Sequence, residues 1–163
     1  MTSPREEVPS ILYLDSHLIA VCKPAGMLTQ ADESGDKSLM DQVKAWIKTE
    51  FNKPGNVFLG LIHRLDRNVS GVLLFARTSK GASRLSEQFR DKTTEKFYRA
   101  IVEGQPEQEQ ASLYHHLRKE KTLKSTVFPR PGKDTQHAEL EYKTLKIYAS
   151  TRLLEIKLHT GRF

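Results

Sequence analysis

Apolar residues first gather between Ile11 and Cys22, where two short runs flank Asp15 and Ser16; the pattern predicts two strands around a turn. Lys23-Pro24-Ala25-Gly26 breaks it, because proline cannot donate to a strand ladder and glycine permits a tight turn. Leu39, Met40, Val43, Trp46 and Ile47 then recur at helical spacing, with Ser38 placed as the cap and Trp46 read as core; Asn52 to Asn56 ends that helix. Val57 to Ile62 and Gly71 to Ala76 are apolar on successive residues, as expected of strands buried on both faces.

Thr78 or Ser79 can cap a second helix with Ala82, Leu85 and Phe89 inward and Arg84, Glu87, Gln88 and Asp91 outward. From Thr94 to Glu103 the pattern alternates, placing Tyr98, Ala100 and Val102 on one face and Phe97, Arg99 and Ile101 on the other. Gln105 to Gln110 reads as a polar connector, and His115 to Lys133 as an irregular insertion or a long hairpin. Ala138 to Tyr148 and Ser150 to His159 form a predicted hairpin, with Leu154, Ile156 and Leu158 inward on its second strand. The sum is one α+β domain with a mixed, mainly antiparallel sheet and flanking helices.

Composition narrows the classes. The 163 residues suffice for a domain with a real core, and 37% hydrophobic with 28% charged residues argues against disorder. Cys22 is the single cysteine, so no internal disulfide forms and a reducing, cytoplasmic setting is expected. The N-terminal residues lack a signal-peptide pattern, and no run approaches the roughly 20 apolar residues of a membrane span. The net charge of +6 permits a polyanionic partner without establishing one. Its basic clusters, Arg84 to Arg99 and Arg118 to Lys133, taken alone read first as solvated, charge-laced surface. No metal-ligand spacing is present: His115 and His116 are adjacent, and there is no cysteine pair.

Candidate chemistry concentrates in residues 60–77. Asp66 lies among His63, Arg64 and Arg67, and cationic neighbours favour the charged form of a carboxylate. Asn68, Ser70 and Gly71 are turn formers that would hold the acid on a loop at the mouth of a strand, the setting of a candidate nucleophile. The structural alternative is a salt bridge from Asp66 to Arg64 or Arg67. His63 reads as a hydrogen-bonded turn residue rather than a base, Tyr98 alternatively as a half-buried strand aromatic, and Lys23 and Lys96 alternatively as ordinary surface cations.

Four segments together resemble the RluA-type pseudouridine synthases, which isomerise uridine to pseudouridine within RNA. They are Lys23-Pro24-Ala25-Gly26, His63-Arg64-Leu65-Asp66 with Ser70-Gly71, Lys96-Phe97-Tyr98-Arg99-Ala100, and His159-Thr160-Gly161-Arg162-Phe163. The resemblance implies a pseudouridine synthase-like fold and a catalytic Asp66 acting at C1′ of the target nucleoside. It implies Tyr98 stacked under the base near the carbon that loses its proton, and Arg64 filling the space of the extruded nucleotide. His63, Leu65, Lys23, Lys96 and Arg162 join Arg64 on the RNA-binding side, Arg162 in a supporting position.

Uridine isomerisation needs neither redox change nor hydrolysis, so no cofactor or metal is implied; the expected partner is ribosomal or transfer RNA, with no membrane and a monomeric chain. The family's next segment, His-Gln-x-Arg, would follow Phe163. The expectation is therefore a single, C-terminally truncated catalytic domain over residues 1–163, without an S4-like N-terminal domain. A non-catalytic RNA-binding fragment and a hydrolase using Asp66 are the competing readings.

Overall fold

The computed structural model describes residues 8–120 and 124–161. Two hairpin-rich segments fold around separate sheets, and the chain divides into compact units between Asp91 and Lys92. Among the described residues the order is β1 (Ser10–Leu14), β2 (Leu18–Lys23), α1 (Leu39–Glu50), β3 (Gly60–Leu61), β4 (Gly71–Ala76) and α2 (Ser79–Arg90) in the first unit. The second holds β5 (Phe97–Glu103), β6 (Gln110–Lys119), β7 (Ser125–Phe128), β8 (Gln136–Ile147) and β9 (Thr151–Leu158). The α+β class holds, as two antiparallel sheets rather than one mixed sheet; the parallel element is a lone bridge from Leu28 to Ser38. No described helix is long and apolar enough to cross a membrane.

The first sheet runs β1-β2-β4-β3. Between β1 and β2, Asp15 Oδ1 accepts from the main-chain N–H groups of His17 (2.7 Å) and Leu18 (2.8 Å), which makes the turn and lowers the Asp15 carboxyl below its usual range. Along β2 and β4, Ile19 faces Phe75 and Val21 faces Leu73, and all four side chains are buried. Leu39, Val43 and Ile47 of α1 are buried as well. Each such side chain is worth about 1.5–3 kcal/mol of burial. Period two along β2 then carries the inward face on to Lys23, opposite Gly71.

Both helices start where expected. Ser38 accepts from Asp41 N–H, while the N–H groups of Leu39 and Met40 donate to the carbonyls of Leu28 (2.8 Å) and Thr29 (3.1 Å). Thr78 caps α2. Trp46, read as core, is corrected to half-buried, meeting Phe51 edge-on at 6.1 Å beside the buried Leu39, Val43 and Ile47 of the same helix.

The apolar run Val57 to Ile62 is corrected: only Gly60 and Leu61 pair with β4, and Phe58 is exposed. Gly71 to Ala76 is a strand, but Val72 is 55% exposed, so burial on both faces is also corrected. An antiparallel sheet covers one face more than the other, and successive apolar residues overstate its burial.

The second sheet runs β5-β9-β8-β6-β7. His115 to Lys133 takes the hairpin alternative, with His116 facing Phe128 and Lys119 facing Ser125 across β6 and β7, and Gln110 already belongs to β6. The predicted hairpin at the C-terminal end is present as β8 and β9. Alternation in β9 is shallow: Leu154 is buried and its neighbours are half-buried. An open groove of about 650 Å³ follows this face, along Val102, Leu113, Leu140, Tyr142, Leu154 and Ile156.

Gly81 sits where the first turn of α2 passes the β1–β2 turn. A Cβ there would stand 2.8 Å from the His17 carbonyl oxygen. Alanine in a helix gains about 1 kcal/mol over glycine, whereas overpacking costs about 1–3 kcal/mol. Gly81→Ala is expected to destabilise the protein despite its helical position, by up to about 2 kcal/mol in urea denaturation; a stabilised variant would contradict the close approach.

Candidate active site

The site begins with a lysine that has no access to water. Lys23 is 0% exposed, and its Nζ donates to the carbonyls of Met27 (2.7 Å), Pro24 (3.1 Å) and Arg67 (3.1 Å). Two of these close the Lys-Pro-Ala-Gly turn on itself, and the third ties that turn to the loop between β3 and β4. Gly26, at φ +87°, adds a reciprocal pair: its N–H donates to the Arg67 carbonyl (2.8 Å), and its carbonyl accepts from Arg67 Nε (3.0 Å).

Leu65, on the other side of Asp66, is held just as closely. The Thr29 hydroxyl, itself 5% exposed, donates to the Leu65 carbonyl (2.7 Å) and accepts from the Leu65 N–H (3.2 Å). The Leu65 side chain is 8% exposed. Asp66 thus lies between two pinned residues, its own carbonyl accepting from Val69 N–H (3.0 Å) to close a turn. Its side chain is exposed and has no hydrogen-bond or ion-pair partner among the described residues. Arg67 forms its ion pair with Asp36 instead (2.8 Å), so the salt bridge considered between Arg67 and Asp66 is absent.

Burial pushes the Lys23 ammonium below its ordinary pKa, and the charge of Asp66 works in the opposite direction. His63 Nε2 accepts from Leu74 N–H (3.1 Å), continuing the β4 edge where the short β3 has ended, and its ring stacks on Phe89 at 4.9 Å. The accepting nitrogen carries no proton in this arrangement, which suits a turn residue and not a cation. Arg64 is exposed next to Asp66. A carboxylate presented to solvent from a loop pinned on both sides can attack or electrostatically support an electrophilic carbon.

In the second unit, Tyr98 is half-buried on β5, facing Ile156 of β9, which in turn faces Tyr142 of β8. Lys96 precedes the strand, and its carbonyl accepts from Leu158 N–H (3.0 Å); its Nζ lies 3.8 Å from where a Cβ on Gly161 would be. The motif containing Lys96 and the one containing Gly161 are therefore neighbours. Arg162 lies outside the described residues. Among the described residues no three His, Cys, Asp or Glu side chains converge as a metal site.

Residues 17–163 match the family described as RNA pseudouridylate synthase. The chain belongs to that family. It is 31% identical over 152 residues to the "Ribosomal large subunit pseudouridine synthase C" of Escherichia coli (strain K12), covering 93% of this chain and 46% of that protein. It is 37% identical over 166 residues to the "tRNA pseudouridine synthase C" of Haemophilus influenzae, covering 93% of this chain and 66% of that protein. The solved structure of "Human RNA Pseudouridylate Synthase Domain Containing 4" shares the fold, with a TM-score of 0.78 at 24% identity over 94% of this chain and 60% of that one. The chain thus spans about half to two thirds of the relatives it matches.

Within this pseudouridine synthase fold, two residues expected to face RNA are turned inward. Lys23 continues the buried face of β2, and Leu65 anchors the Asp66 loop in the core. Burial leaves neither side chain a surface for RNA, and both brace the loop instead. Thr29 escaped the sequence reading because a threonine in a polar loop carries no periodic or motif signal. Its partner, Leu65, lies 36 positions away.

Lys23→Met keeps an unbranched side chain one atom shorter and removes the donor to three carbonyls. It is expected to lose about 2–4 kcal/mol of stability, read from urea denaturation at neutral pH. Because burial lowers the lysine's pKa, the folded chain holds less of a proton than the unfolded one just below the ordinary value of 10.5. Stability of the wild type relative to Lys23→Met is therefore expected to rise as pH climbs toward that value; a narrowing gap would contradict the buried ammonium.

Proposed function

We propose that this chain acts on RNA as a pseudouridine synthase, with Asp66 as its catalytic residue. Family membership supports the reaction class. The observation that carries the residue assignment is the exposed Asp66 carboxylate on a loop pinned at both flanking residues. In this reading the target uridine is extruded from its RNA, at a cost of a few kcal/mol of stacking. Asp66 attacks or stabilises C1′ as the N1–C1′ bond breaks. The uracil turns and C5 bonds to C1′, in the attack case with the Asp66–C1′ bond breaking to restore the carboxylate; the C5 proton leaves to solvent and N1 gains a proton, so the product is an isomer and no cofactor is consumed.

Tyr98 stacks against the base near C5, and Arg64, exposed beside Asp66, occupies the space vacated by the nucleotide. Stacking on an aromatic with arginine contacts is a general mode of reading unpaired nucleotides. Lys96 and Arg162 join the RNA-binding side, and His63 supports the loop from within. The names of the relatives point to ribosomal or transfer RNA as the substrate class. We place the chain in the cytoplasm as a monomer.

Release of the C5 hydrogen from RNA labelled at uridine C5 tests this directly. Wild type is expected to release it, and Asp66→Ala to lower the rate by roughly 10³-fold or more, as removal of an attacking group does. Equal release by the two would eliminate Asp66 as catalyst. RNA binding without release by either would assign a non-catalytic binding role, and free uracil as product would assign a hydrolase.

Binding itself is expected to weaken at least about tenfold between ~50 mM and ~200 mM salt, because basic side chains displace counterions from phosphates. A filter-binding constant independent of salt would refute an electrostatic RNA interface.

A further inference from the structure

We propose that Thr29 is a positioning residue for the Asp66 loop, and that its hydroxyl sets where the carboxylate points. The inference rests on the assignment of Asp66 made above. Leu65 lies beyond the end of β3 and before the start of β4, so no ladder is available to its main-chain groups. Both are nevertheless satisfied, and by one atom: Thr29 Oγ1 donates to the Leu65 carbonyl at 2.7 Å and accepts from its N–H at 3.2 Å. A hydroxyl can do both at once because it holds one proton and two lone pairs. Rotation of the peptide unit on either side of Leu65 would break one of the two bonds, so the pair fixes orientation as well as position.

The clamp is anchored to something rigid. The Thr29 carbonyl accepts from Met40 N–H (3.1 Å) and the Leu28 carbonyl from Leu39 N–H (2.8 Å), in the first turn of α1. That helix is seated by Leu39, Val43 and Ile47, each no more than 2% exposed. The position of α1 therefore passes through Thr29 to the peptide joining Leu65 and Asp66. Lys23 and Gly26 act on the Arg67 side only, so nothing among them replaces the Thr29 bonds. Displacement of a reacting group by about 1 Å is enough to lower a rate by roughly 100-fold.

Thr29→Val is nearly isosteric and removes the hydroxyl; Thr29→Ser keeps it. Amide hydrogen exchange at Leu65 reads the clamp without reference to activity. Exchange is expected to quicken by roughly tenfold or more in Thr29→Val and to stay within a few-fold of wild type in Thr29→Ser. The C5-release kcat is expected to fall roughly 10- to 100-fold in Thr29→Val, with KM for RNA within about twofold, and to be largely retained in Thr29→Ser.

Unchanged Leu65 exchange in Thr29→Val overturns the proposal, as does an unchanged kcat or a loss confined to KM. Should Thr29→Val fail to fold, the wild type decides: slow exchange of the Leu65 amide there, kept in Thr29→Ser, supports the clamp, and fast exchange overturns it. If C5 release survives Asp66→Ala while Leu65 stays protected, the catalytic reading fails and the clamp stands. If wild type releases nothing, ordering of the Leu65 and Asp66 amides in NMR relaxation decides, and equal order in wild type and Thr29→Val overturns the proposal.

Discussion

The first unit is organised around the buried ammonium of Lys23. A cation removed from water is costly unless its hydrogen-bonding capacity is filled, and here three carbonyl oxygens fill it. An ammonium has three donors and no fixed plane, so it gathers carbonyls that converge from different directions. Those of Pro24 and Met27 come from its own turn, and that of Arg67 comes from a loop more than forty residues on. The lysine thereby converts a local turn into a clasp on the segment that carries Asp66. Its burial follows from strand periodicity, because Lys23 continues the inward row of Ile19 and Val21.

Two carboxylates near this loop have different fates. Asp36 takes the Arg67 guanidinium, with both partners about half exposed, where an ion pair contributes little to stability but keeps the arginine from Asp66. Asp66 is left exposed, and its charge is felt at the buried Lys23. Main-chain bonds at Leu65 and Arg67 hold the acid's backbone without occupying its oxygens. A reactive carboxylate needs that separation, since any group binding its oxygens tightly would compete with a substrate.

The two units spend apolar surface differently. Nearly all fully buried apolar side chains of the described residues belong to the first, and Leu154 alone to the second. A five-stranded sheet with half-buried faces is held chiefly by its ladders, and its cross-strand pairs, such as Tyr98 with Ile156, stay near the surface. Asp66 is thus carried by a loop tied to a buried core, whereas Tyr98 lies half-buried on a sheet with little buried apolar surface of its own.

Much of this was legible in the chain. Both helices with their caps at Ser38 and Thr78, the strand alternation around Tyr98, the terminal hairpin and the family were set by local periodicity and four short motifs, because those signals depend only on neighbours in sequence. Val57 to Ile62 misled because apolar content does not report whether a strand has a pairing partner, and Val72 because it does not report which face is covered. What only the tertiary structure decided is who holds Asp66: Lys23 from inside rather than on the RNA, Gly26 through Arg67, and Thr29 through Leu65. Hydrogen bonds between residues some forty positions apart leave no periodic trace in a sequence, since they depend on where folding brings the chain back upon itself.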